Sequence, residues 1–209
     1  MRITLISVYF ICLISSGVFA RPVSYPDGWT LMQMNDAENN SLHVHYSPTR
    51  HYSIGYKAEY HRDADWQFHG GQLNYLVQRW NAPSEQANLY FKSGAGLAID
   101  HTGDGSAAAF AGIAADWETR RYFTSYENRY TYAEAIEKHF SQKARIGIAP
   151  YIGDYGDYHT WLMLQLDHHP THHHEITLTP LVRLFKGDIM AEAGMSNRGT
   201  LLLNSIVRF

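Results

Sequence analysis

The chain has 209 residues, 45% hydrophobic, 18% charged and 14% aromatic, with a formal net charge of −3. That length suits a single domain, and the mild acidity without any basic block excludes a nucleic-acid partner of the usual kind. Its one cysteine, Cys12, sits in the N-terminal apolar run, so neither a disulfide framework nor a thiolate metal site can organise the fold.

In chain order, residues 1–20, "MRITLISVYFICLISSGVFA", come first. They carry one basic residue, Arg2, then an apolar run from Ile3, then small residues at Val18 and Ala20. This is the pattern of a secretory signal peptide, with the cut expected after Ala20. The run is short for a membrane-anchoring helix and is interrupted by Ser15, Ser16 and Gly17. The bulky Ile11 before Cys12 argues against lipid attachment. Loss of the segment takes Arg2 with it, so the net charge moves from −3 to about −4. One domain is expected over 21–209.

Beyond the signal segment the hydrophobic pattern has period two and is broken by turn residues. Twelve strands are predicted, at roughly 28–34, 41–47, 51–60, 66–80, 86–99, 107–117, 121–132, 143–151, 158–167, 175–185, 189–196 and 200–209. Ten strands plus an N-terminal hairpin, or eight, are the alternatives, because the first two segments are short for spanning a bilayer. In the third segment Tyr52, Ile54, Tyr56, Ala58 and Tyr60 share one face, and His51, Ser53, Gly55, Lys57 and Glu59 the other, inward one. In the ninth, Leu162, Leu164 and Leu166 oppose Trp161, Met163 and Gln165. The clearest helical candidate is Tyr132–Gln142, "YAEAIEKHFSQ". In the last segment Leu201, Leu203, Val207 and Phe209 share a face, with Ser205 the exception, and Asn204 and Arg208 lie opposite.

Such alternation fits a soluble barrel with an apolar core or a membrane barrel with an apolar outside. A signal segment followed by amphipathic strands and a final Phe resembles the outer-membrane β-barrel proteins of Gram-negative bacteria. The resemblance is one of architecture and covers the whole mature chain. It implies an all-β, antiparallel transmembrane β-barrel, with both termini in the periplasm. It also implies contact with outer-membrane lipids and lipopolysaccharide, and recognition by the barrel-assembly machinery through Phe209. The connections then alternate, with short turns at "SPTR", "NAPSE", "ETR", "IGDYGD" and "KGD" on the periplasmic side. Longer polar loops, including "NDAENN", "HRDAD", "AEAIEKHFSQ" and "DHHPTHHH", fall outside.

Ionisable groups face lipid only at high cost, so those on the strands are assigned to the inside. They are Lys57, Lys92, Arg129, Lys143, Arg145, Arg183 and Arg208, with Glu59, Asp116, Glu127 and Glu192. Two readings follow: a plug of mutual ion pairs, or a hydrated, porin-like pore whose basic excess favours anions. Small residues at Gly94, Gly96, Ala108, Gly112 and Ala114 are expected to leave room for water.

Three constellations suggest further chemistry. His168, His169, His172, His173 and His174 crowd one outer loop; His61, His101 and His139 are placed in others. Such a loop binds copper, nickel or zinc weakly, but fixed coordination needs a supported ligand set, and no cofactor is required by the sequence. Met32 and Met34 on the first strand and His43 and His45 on the second form a softer set, suited to copper or silver if both faces turn inward. Packing and lumen lining explain the same residues. Finally, His45-Tyr46-Ser47 and His51-Tyr52-Ser53 resemble the His-x-Ser pair of outer-membrane lipid A deacylases, with Glu59 as the acid for the second pair. Both pairs flank a turn placed in the periplasm, away from lipid A. A non-enzymatic channel or structural barrel is therefore the leading expectation, a copper- or silver-handling barrel and a lipid-acting esterase the alternatives.

Overall fold

The computed structural model describes residue 23 and residues 25–154, 156–170 and 176–209. The signal segment expected over 1–20 and the loop residues His172, His173 and His174 lie outside the described residues. Within them the chain forms twelve strands and no helix. These are β1 (Gly28–Asn35), β2 (Asn39–Thr49), β3 (Tyr52–His61), β4 (Trp66–Asn81), β5 (Glu85–Asp100) and β6 (Gly105–Thr119). They continue as β7 (Tyr122–Ala133), β8 (Glu137–Ile148), β9 (His159–His168), β10 (Ile176–Lys186), β11 (Ile189–Met195) and β12 (Leu201–Arg208).

Each strand pairs antiparallel with its neighbours in sequence, and β1 closes on β12. The seam is in register, with Leu31 opposite Val207 and Met32 opposite Ile206. Trp29 and Phe209 extend it by two backbone bonds of 2.7 and 3.0 Å. Closure removes both sheet edges, so the backbone groups of the outermost strands find partners within the chain.

The alternation read from the sequence is the alternation of outside and inside. Ile54, Leu97 and Ile146 are 54%, 58% and 60% exposed. Their chain neighbours Ser53, Ala98 and Arg145 are buried. Two bulges interrupt the period. One lies between Tyr46 and Thr49 on β2, the other between Leu76 and Gln78 on β4. Beyond the second, Arg79 donates to Asn88 Oδ1 at 2.7 Å. The inside is mixed. Trp66, Phe68 and Phe110 pack with Ala98, Ala108 and Ala133, while Trp161, Met163, Leu181 and Leu202 form a second apolar cluster.

Three expectations are corrected. The helix candidate over 132–142 is a hairpin: β7 runs to Ala133, a turn closes through Ile136 N donating to Ala133 O, and β8 begins at Glu137 rather than near 143. Local helix propensity is a weak preference. Here it loses to the β7–β8 ladder, which sets Thr131 opposite His139 and Tyr132 opposite Lys138. Next, the lengths of the connections do not divide cleanly between the two rims. The long segment 149–158 lies on the rim that carries both ends of the sheet, whereas 134–136 on the other rim is a tight turn. Finally, the small residues of β5 and β6 leave less room than expected. A Cβ on Gly94 would lie 2.5 Å from the Phe110 ring, so that space is already taken.

Candidate functional site

The barrel encloses a cavity of about 280 Å³, enough for on the order of ten waters at bulk density. Lys57, Glu59, Lys92, Asp116, Glu127, Arg129, Arg145 and Arg183 border it. Glu192 and Arg208 are buried, 3% and 8% exposed. The pleat accounts for this placement, because all but Arg129, which follows Asn128, come directly after an apolar neighbour on the strand.

The charges are joined across the lumen. Arg129 of β7 donates to Glu59 of β3 at 2.6 Å, and Lys57 stands 3.1 Å from the same carboxylate. The Arg129 guanidinium also lies 4.0 Å from the centre of the Phe110 ring. Lys92 of β5 reaches Glu127 of β7 at 2.8 Å. Glu192 accepts from Arg145 at 3.1 Å, from Arg183 at 2.7 Å and from Asn204 at 2.6 Å. Arg145 continues to Gln165, and Gln165 to Asp167. A buried ion pair is tolerated best when its remaining donors and acceptors are also engaged, as around Glu192. Among the described residues, Arg129 keeps its Nε and one Nη without a hydrogen-bond partner and rests on the Phe110 ring.

Sequence reasoning missed the acids that complete this network. The connection between β1 and β2 folds into the mouth of the barrel. Asp36 Oδ2 accepts from Lys143 at 2.9 Å, and Glu38 lies 2.8 Å from His169 Nε2. Lys143 also stands 3.6 Å from Asp167. Arg62, in the next loop, donates to Asp36 O, to Asn39 O at 3.2 Å and to Asn40 Oδ1 at 2.8 Å, which pins the first loop from behind. Burial alone would raise the Asp36 carboxyl. The Lys143 ammonium and the N–H groups of Asn39 and Glu38 outweigh it and hold the group at about 2. With Asp36, Glu38 and Asp167 inside, the basic excess inferred from the strands is offset. For Asp36 and Glu38 only the loop's path could reveal this, and "NDAENN" carries no periodicity that sets one. Asp167 continues the inward face of Met163 and Gln165 on β9.

The described histidines do not form one cluster. His61 and His139, expected in outer loops, are buried at the ends of strands, 6% and 5% exposed. His61 stacks on Trp66 at 4.0 Å and meets His139 edge-on at 5.6 Å. His168 Nδ1 lies 3.0 Å from Gln142 Nε2, and His169 turns inward to Glu38. Among the described residues no group of three or more His, Cys, Asp or Glu side chains could hold a metal ion. The first hairpin does bring soft donors together. Met32 lies opposite His43, Met34 opposite Ser41 and Thr30 opposite His45, with Met32, Met34 and His43 bordering the cavity.

The structure sets the members of the second serine pair apart. His51 lies in the exposed β2–β3 turn beside Arg50 at 3.4 Å. Ser53 is fully buried and accepts from Asn74 at 3.0 Å. Glu59 lies three inward positions further along β3, in the hands of Arg129 and Lys57. Ser47 is likewise fully buried. A nucleophile needs its base within hydrogen-bond reach and its acid next to the base.

No protein-family model matches the chain, and no curated protein matches it. A solved structure from work described as "Unveiling the Mechanism Behind the in-meso Crystallization of Membrane Proteins" is similar at a TM-score of 0.45 and 9% identity, over 87% of this chain and 82% of that one. At that level of likeness no function passes from one chain to the other.

Proposed function

We propose that this protein is a non-enzymatic outer-membrane β-barrel that passes small ions through a narrow lumen, constricted by its own first loop. The membrane part of this reading is supported by the outer surface. Ile54, Leu97, Ile113, Ile146, Leu164 and Leu203 are all exposed around the middle of the barrel. Trp29, Trp80, Tyr122 and Tyr158 ring the rim at the chain ends, and Tyr130 and Tyr132 stand toward the other. An apolar belt between aromatic girdles is the surface a bilayer stabilises and water does not.

The observation that carries the channel reading is the in-folded loop. Two acids reach from the β1–β2 connection into a polar cavity and meet Lys143 and His169. A purely structural barrel needs no such latch, whereas a constriction set by a short tethered loop limits what passes. Single-channel recording of the refolded protein in a planar bilayer tests the reading. Small, stable steps are expected from the wild type, and larger ones from Asp36→Asn, whose loop loses its hold on Lys143. Silence from both variants, with a closed barrel verified by its heat-modifiable migration, would overturn the channel and leave a structural barrel.

A further inference from the structure

Soft donors share one wall of the lumen. Met190 pairs with Ile206, Ile206 with Met32, and Met32 with His43, so a single hydrogen-bonded row carries two thioethers and an imidazole on the inside. His45 lies one inward position along β2, its ring centre 4.5 Å from that of His43. Direct cross-strand partners have Cβ atoms about 4.5–5.5 Å apart, a gap that a methionine and a histidine span with their own side chains. Met34 adds a thioether one inward position along β1.

The two imidazoles are also unsatisfied. Among the described residues, His43 Nε2 and both ring nitrogens of His45 have no hydrogen-bond partner, and all three atoms are buried. Buried polar atoms are normally paired, because leaving them unpaired forfeits their hydration for nothing. Gly55 faces His45 from β3. A Cβ there would lie 2.6 Å from His45 Cβ and 2.0 Å from Val44 O, so no side chain can fill the position.

The donor set selects the ligand. It is neutral, with imidazole and thioether groups and no carboxylate or thiolate, which disfavours zinc and suits soft d¹⁰ ions. The charges that act on the two histidines are Lys57, Lys92 and Arg208, with Glu59 opposing them. Their repulsion falls twice as hard on a divalent ion as on a monovalent one. We propose that Met32, His43 and His45 form a binding site for a soft monovalent cation, Cu(I) or Ag(I), in the barrel wall, with Met34 and Met190 as further thioethers beside it.

The test uses the refolded full barrel in detergent, in a background of His168→Ala, His169→Ala, His172→Ala, His173→Ala and His174→Ala, so that the histidine-rich loop contributes no imidazole. Binding is read without any conduction, so an inert channel leaves this inference standing. Titration with Ag(I) should give one tight site per barrel that a tenfold excess of Zn(II) does not displace. Met32→Leu, nearly the same volume, should weaken it at least tenfold and remove sulfur from the shell seen by X-ray absorption on the Cu(I)-loaded protein. The double variant His43→Asn, His45→Asn should abolish it. Unchanged Ag(I) affinity in Met32→Leu would overturn the site, as would displacement by equimolar Zn(II). If the double histidine variant fails to close into a barrel, Met32→Leu decides alone.

Discussion

Asp36 shows how one residue can hold a loop in place. Its carboxyl titrates at about 2, below the ordinary 3.8, so its contacts stabilise the folded loop fully above about pH 4 and are lost as pH falls through about 2. The difference amounts to about 2 kcal/mol, an order-of-magnitude figure. Conductance of the wild type is therefore expected to rise between about pH 4 and pH 2, while Asp36→Asn shows the larger conductance throughout and no rise with that midpoint. A wild-type profile flat across this window would show that Asp36 does not hold the constriction. Asp36 was not legible as an inner residue, because it belongs to no alternating segment. Lys57 was legible, because Tyr56 and Ala58 on either side leave a charged strand residue only one direction to point.

Strands obey their period wherever both faces are specified. The middles of β3, β9 and β12 were readable from alternation, though the ends of the first two, at His61 and His168, were taken for loop. The Tyr132–Gln142 hairpin was not readable, since "AEAIEK" reads equally well as helix. What settles such segments is close approach to the next strand. Gly112 is the clearest case: a Cβ there would lie 2.0 Å from Asn128 O on β7. Gly112→Val should therefore force β6 and β7 apart and cost about 1–3 kcal/mol, as overpacking does. Urea unfolding from lipid vesicles would measure it. Gly105→Ala is the control, because its nearest non-neighbour atom would be Ala98 O at an ordinary 3.9 Å. Equal stability of the two variants would mean that the β6–β7 spacing is not set by this glycine.

For the whole barrel the decisive property is charge balance inside a closed wall. Each of Lys57, Lys92, Arg129, Lys143, Arg145 and Arg183 has a carboxylate partner in the lumen. The channel is accordingly expected to discriminate weakly between anions and cations. Glu192→Gln should change that. It leaves Arg145 and Arg183 facing each other without their shared carboxylate, at a cost of about 3–5 kcal/mol for breaking a buried network. Reversal potentials in a salt gradient should then shift toward anions. A Glu192→Gln channel with wild-type selectivity would place the narrowest point elsewhere in the lumen.

The sequence by itself determined the fold class and the face of most strand residues, and put twelve strands ahead of ten or eight; closure of the barrel decided that number. The fold class and the faces follow from local rules: period two, turn chemistry, and the cost of turning a charge toward apolar surroundings. The tertiary structure alone decided which charges meet, because Arg129 and Glu59 are seventy positions apart and face each other only once the sheet has closed. It also decided that the first loop enters the lumen and that Phe110 fills the space opposite Gly94. And it set the register that puts Met32 opposite His43. Alternation fixes the direction of a side chain from its neighbours in the chain. Its partner across a barrel depends on closure and register, to which every strand contributes.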